Sequence, residues 1–321
     1  MVRNWVSERL EYLWQRLVAK TPESLVDQDN EVSDVVLSEY NIRRVSCDFE
    51  DLGNALFNKM QNPPILFEAM SEEEMSSYPI AESAQPTVND YDSEALEERR
   101  KQMDRVFSRA YQIFLYMRSS MSQLGIRENL HMHDGLLGLR QLDPIGFPNP
   151  FLLGSGLYGA YPTLYDRWRL GLMLEPDMVD GHRMYPHVTL GIAQSHNGQE
   201  SSMLFGELAP LISAMRNRAI QPQVTDDEDE QEALFIENSE SIMQMPGEFK
   251  DEQRFPVLLL SLLGPQHGRM FYACMDDNEL VIRQSRLYSF ERMETAPFDL
   301  FVRVAMCRPL STAQLVENLY L

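Results

Sequence analysis

The chain has 321 residues, 44% of them hydrophobic, and a net charge of −21. That length supports a buried core without disulfide staples, and Cys47, Cys274 and Cys307, odd in number and far apart, read as reduced core residues. The acidic balance argues against nucleic acid, whose general affinity comes from Lys and Arg displacing counterions along the phosphates. No apolar run approaches the roughly 18 residues of a spanning helix, and the N-terminal MVRNWVSERLEYLWQRLVAK is too charged for a signal or an anchor. These features predict a protein of the cytoplasm or nucleus without membrane contact.

In chain order, Val6, Leu10, Leu13 and Leu17 recur at helical spacing between charged residues, predicting an amphipathic helix. A second helical pattern leads from Val32 through Leu37 toward Tyr40, and a third from Phe49 to Met60 before Pro63 and Pro64. Residues 1–66 therefore read as a helical cap. The next stretch mixes acids, serines and prolines without a period, so residues 67–92 read as an acidic linker unable to offset its ordering entropy by burial. From Ser93 to Gly125 one long helix is predicted, with Ser93 as N-cap and Val106, Phe107, Ala110, Ile113, Phe114 and Met117 on its buried stripe.

Strands are expected at Tyr185–Ala193, SSMLFGEL, Val257–Leu263, Arg269–Met275 and Glu279–Leu287, and helices at APLISAMRNRAI, APFDLFVRVAM and TAQLVENLYL. The fold class is α+β: a mixed, largely antiparallel sheet of about five strands with a long helix and the N-terminal cap. Residues 93–321 form the core domain, interrupted by a solvated acidic loop at 222–252. The charge is localised, because residues 67–104 hold eleven acids against three bases and residues 222–252 hold eleven against Lys250 alone.

Val257–Leu263 is apolar but for Ser261, which places it mid-sheet with both faces covered. Asp276, Asp277 and Asn278 read as a three-residue hairpin loop. That register groups Met270, Tyr272 and Cys274 with Leu280 and Ile282 on one face, and brings Arg269 beside Arg283 on the other. Two guanidinium groups that close splay into water or share a carboxylate or an anion. With His267 in the G-P-Q-H-G corner, Arg269 and Arg283 make a candidate anion-binding group. Each also has a structural explanation: the glycines shape a turn, and the arginines pack or pair with protein acids.

Other patterns are less complete. His131 and His133 have the His-x-His spacing that puts two imidazoles on one side of a strand, and with Asp134 they are weak metal candidates; further ligands would have to come from His182 or His187. The glycine run GSGLYG (154–159) lacks a preceding buried strand, and Pro162 would break the helix a dinucleotide site needs. Glu207 sits where a nuclease-like sheet would hold a carboxylate, but Ala209 occupies the position of the expected lysine. No nucleophile elbow, phosphate-binding loop or paired C-x-x-C is present, and no cofactor is expected.

The segment PVLLLSLLGPQHGRMFYACMDDNELVIRQSRLYSFERMETAPFDLFVRVAM, with LMLEPDM and MLFGEL before it, resembles a family of filamentous-fungal proteins over roughly the C-terminal half of the chain. The resemblance implies a fungal, intracellular origin and transfers neither an activity nor a site residue. The expected function is a non-catalytic interaction or accessory protein with a protein partner. The alternative is an enzyme acting on an anionic small molecule, in fungal specialised metabolism.

Overall fold

A computed structural model describes residues 5–52, 54–78, 88–91, 105–122, 135–160, 167–237 and 239–310. Its helices include α1 (Trp5–Trp14, continued by a π-turn at Gln15–Ala19), α2 (Asp34–Glu39), α3 (Ala55–Met60), α4 (Glu72–Ser76), α5 (Arg105–Ser122), α6 (Phe205–Ala219), α7 (Glu228–Ala233), α8 (Ser239–Gln244) and α9 (Phe298–Ala305). Its strands include β1 (Ile42–Ser46), β2 (Leu142–Pro144), β3 (Arg167–Pro176), β4 (Val188–Asn197), β5 (Val257–Gly264), β6 (His267–Asp276), β7 (Glu279–Gln284) and β8 (Tyr288–Ser289).

The main sheet runs β1-β7-β6-β5-β4-β3-β2, with β8 and the pair Gly159–Ala160 attached beside this path. Only β1–β7 and β4–β5 are parallel; the remaining pairs are antiparallel. The α+β class and the mixed, largely antiparallel sheet stand as expected, but the sheet has nine strands rather than about five. The additions are largely strands whose sequences carry charges, such as IRRVS in β1 at the sheet edge. There a strand has water on one side, and its pattern is not the alternation of a half-buried run.

β5 is the middle strand and every one of its residues is buried. Its pleat divides the core. Val257 and Leu259 point into one cluster with Val6, Leu10 and Leu13 of α1 and Leu208, Leu211 and Ile212 of α6. Leu258, Leu260 and Leu262 point into another with Phe107, Ile113 and Phe114 of α5 and Phe301 and Val302 of α9. Helices thus cover both faces, which is why β5 needs no polar side. α6 begins four residues earlier than the sequence pattern indicates and contains Pro210. The ring removes the N–H that would bond Gly206 O, and Gln194 Nε2 of β4 donates to that carbonyl instead at 3.0 Å.

The expected cap over 1–66 is built into this core. α1 packs on α6, and β1 extends the sheet beside β7. The helix expected from Phe49 to Met60 is confined to α3. In the expected linker, Phe67–Glu68 pairs with Arg308–Pro309, and α4 is closed by a capping box in which Ser71 Oγ accepts from Glu74 N and Glu74 returns to Ser71 N. Its acids sit in a first helical turn, where the helix dipole favours them. Residues 79–87, and the parts of the expected Ser93–Gly125 helix before Arg105 and after Ser122, lie outside the described residues. The acidic loop at 222–252 likewise contains α7, capped by Asp227, and α8.

The β6–β7 hairpin corrects the predicted register. Asp276 pairs with Glu279, so the loop is only Asp277–Asn278, with Asp277 at φ +47°. Tyr272 faces Arg283 and Ala273 faces Ile282. A one-residue slip turns every β7 side chain to the opposite face. Leu280 and Ile282 therefore enter the α1/α6 layer, whereas Arg283 lies on the side of Tyr272 and Cys274.

Candidate functional site

The sheet separates the two arginines of the predicted anion group. Arg269 is fully buried on the α6 side, where Nε and Nη2 hold both oxygens of Glu207 at 2.9 and 2.6 Å. Its Nη1 donates to the carbonyls of Gln199 and Ser202. Glu207 lies in the first turn of α6, not at a strand end, and also accepts from Leu204 N at 2.7 Å. On the other face, Arg283 Nη2 donates to Pro63 O at 2.6 Å and its guanidinium lies 5.6 Å from the Tyr272 ring centre. Arg283 and Tyr272, which donates to Pro64 O, tie the Pro63–Pro64 segment to the sheet.

His267 is half-buried at the start of β6, between Leu263 and Ser289. Its flanking glycines serve close packing. A Cβ on Gly264 would stand 2.2 Å from Val106 Cγ1, and one on Gly268 2.8 Å from the Phe301 ring. The same holds in GSGLYG, where Gly154 and Gly156 lie on Asn217 and Ser213 of α6; Gly156 also needs its φ of +90°. His131, His133 and Asp134 lie outside the described residues. Among the described residues no group of three or more His, Cys, Asp or Glu is placed to hold a metal.

A polar assembly that the sequence reading did not find sits where β3 ends and β4 begins. Glu175, 6% exposed on β3, accepts from Asn149 Nδ2 and from Arg218 Nη2, each at 2.6 Å. Arg183 Nε lies 3.5 Å from the same oxygen as Arg218. Arg218 leaves α6 to reach this carboxylate, donates to Gln221 Oε1 and stacks near Phe151 and Phe249. Burial alone would raise the Glu175 carboxyl, but Arg218 and Arg183 outweigh it and hold the group below its ordinary value. Glu248 is pushed the other way by burial. Arg183 Nε, Arg218 Nε, Gln221 Nε2 and Glu248 Oε2 are buried without a hydrogen-bond partner among the described residues.

His187 adjoins this assembly. Its Nε2 lies 2.7 Å from Leu66 O, so Nε2 carries the proton, and burial pushes its pKa down to about 3. Tyr185 and Phe67 flank its ring edge-on at 5.8 and 4.8 Å. Tyr185 also lines a neighbouring cleft of about 510 Å³, together with Arg140, Gln141, Asp177, Glu68 and Arg308. The cations there are already engaged: Arg140 meets Glu74, Glu68 O and Met306 O, and Arg308 meets Glu68.

The buried assembly anchors three surface loops. Asn149 belongs to the loop carrying Phe147, Arg183 to the loop carrying Val179 and Met184, and Gln221 and Glu248 to the two roots of the acidic 222–252 segment. Phe147 and Phe235 join the first and third of these loops, their rings 4.9 Å apart. Phe147 is 63% exposed and Ile236 85% exposed. The one signal in the sequence was charge in apolar company: Glu175 closing LMLEP and Arg218 near the end of a helix that carries the apolar run LAPLI.

No family model matches the chain, and no curated protein or solved structure matches it either. Among the described residues no helix is long and apolar enough to cross a membrane, and all three cysteines are buried and free.

Proposed function

We propose that this chain is a non-catalytic interaction or accessory protein of the cytoplasm or nucleus, whose protein partner docks on the three loops above Glu175. The observation that carries this reading is the Phe147–Phe235 pair with exposed Ile236, set on a segment rich in acids. Large apolar side chains left in water within a charged rim are the usual composition of a protein contact. The partner segment is then apolar at its centre and basic at its flanks. The buried ion network beneath supports the role by holding the loops in one arrangement, which lowers the ordering cost of binding.

The experiment is capture from cells of the source organism with wild type and with the double variant Phe147→Ser, Ile236→Ser. Both side chains are exposed, so the variant should melt as wild type does. A stoichiometric partner recovered by wild type and lost with the variant supports the reading; equal capture by both overturns it.

A second reading, an enzyme acting on an anionic small molecule, draws support from the Nε groups of Arg183 and Arg218, which make no hydrogen bond among the described residues. It predicts stabilisation by phosphorylated or carboxylated metabolites in a thermal-shift screen, since a ligand that binds only the native state raises Tm. A flat response removes it.

A further inference from the structure

A second concave surface uses different residues. A groove of about 890 Å³ runs between α4, β8 and α9, walled by Met75, Tyr78, Tyr288 and Leu300 and carrying the carboxylates of Glu50, Glu72 and Asp299. Two of these acids already hold arginines. Arg286 lies 4.3 Å above the Tyr288 ring centre with Nη2 at 3.0 Å from Glu50, and Arg303 Nη1 meets Glu72 at 2.6 Å. Asp299, exposed in the first turn of α9, makes no ion pair among the described residues. Three carboxylates against two guanidinium groups leave the groove negative.

We propose that this groove receives arginine side chains from a basic segment of a partner protein. Arg286 displays the chemistry within the chain: a planar cation lies on a tyrosine face while a carboxylate takes its N–H groups. Guanidinium is weakly hydrated and stacks on aromatic rings, whereas the compact, strongly hydrated ammonium of lysine does so less readily. Met75 and Leu300 supply apolar surface for the methylene stem. The pair Arg286–Glu50 is itself largely exposed, at 65% and 52%, and so is displaceable by an incoming arginine at small cost. Charge complementarity selects the occupant, and the aromatic wall selects arginine over lysine.

The test is a fluorescence anisotropy titration of the full chain with a labelled peptide of alternating arginine and glycine and with its lysine counterpart, at physiological salt. The arginine peptide should bind about threefold or more tightly than the lysine peptide. Asp299→Asn combined with Glu72→Gln should weaken it about fivefold. Arg286→Ala should instead tighten it, because it vacates the Tyr288 face, and Arg43→Ala, the same change of charge on β1, should not. All these positions are at the surface, so folding is preserved. Equal affinity for the two peptides, an equal gain from Arg43→Ala, or no binding of either peptide overturns the proposal. None of these results bears on the Phe147–Ile236 surface, which the capture experiment tests separately.

Discussion

Two buried carboxylates, Glu207 and Glu175, are held by arginines in opposite ways. Glu207 and Arg269 form a closed lock: both side chains are fully buried, the contact is bidentate, and Gln199 O, Ser202 O and Leu204 N take the remaining hydrogen bonds shown. Glu175 is shared between Arg218 and Arg183, and around it Arg183 Nε, Arg218 Nε, Gln221 Nε2 and Glu248 Oε2 make no hydrogen bond among the described residues. The first lies between α6 and an inner strand, where nothing can move aside; the second lies at the sheet end, beneath loops. The difference teaches that ionic burial here serves two ends, fixing a helix to the sheet in one place and gathering loops around a polar centre in the other.

The sharpest way to break the contrast is Arg269→Met. Methionine fills much of the volume but abandons the fully buried Glu207 anion, and removing one partner of a buried pair costs about 3–5 kcal/mol. Urea unfolding should show that loss as a lower midpoint. The double variant Arg269→Met, Glu207→Met should recover most of it, because an apolar pair has no charge to desolvate. A single variant within about 0.5 kcal/mol of wild type would mean the lock contributes nothing.

Glu175→Gln should act in the same direction but less, about 2–3 kcal/mol, since the loops above can open to admit water to Arg218 and Arg183. The two sites also differ in what they release. Proteolysis under native conditions should cut the 222–252 segment faster in Glu175→Gln, because Arg218, which donates to Gln221 at one root of the segment, loses the carboxylate that positions it, whereas Arg269→Met should leave that segment as resistant as its global stability allows. Identical cleavage patterns would erase the distinction between lock and loop anchor.

How much of this was legible follows from how local each feature is. β5 was readable because six of its seven residues from Val257 to Leu263 are apolar, and α1 because Val6, Leu10, Leu13 and Leu17 recur at helical spacing. The β6–β7 register was not, because Asp276 serves equally as a turn residue and as the last rung of the ladder, and one residue decides which face Arg283 takes. β1 hid behind Arg43 and Arg44, whose charges are tolerated at a parallel edge and are absorbed by Glu279 and Asp34. The Glu175 centre was furthest from reach: Asn149, Arg183, Arg218 and Glu248 come from four loops or helix ends, and no spacing in the chain announces their meeting. Of the candidates singled out by motif, Arg269 and Arg283 lie on opposite faces of one sheet, bonded to Glu207 and Pro63 O, and His267 stands at the corner that opens β6.

The smallest effect separates the two sites by pH. His187 stands beside the Glu175 centre and faces Arg218 electrostatically, with Tyr185, Phe67 and Leu66 O packed around it. Its pKa falls from 6.5 to about 3 on folding, chiefly through burial. The unfolded chain therefore binds the proton first, so this contribution is complete above pH 6.5 and is lost progressively as pH falls toward the folded value. Between pH 6.5 and about 5, before most carboxylates titrate, it should cost wild type about 1.5 kcal/mol. His187→Gln keeps an N–H for Leu66 O but cannot take up the proton, and its unfolding free energy should not fall over that interval. Glu248 sharpens the reading, because burial raises its carboxyl and gives it the opposite sign, a loss of stability as pH rises above its ordinary range. Parallel stability curves for wild type and His187→Gln would show that the imidazole meets water in the folded chain, and that the sheet end is more open than its geometry implies.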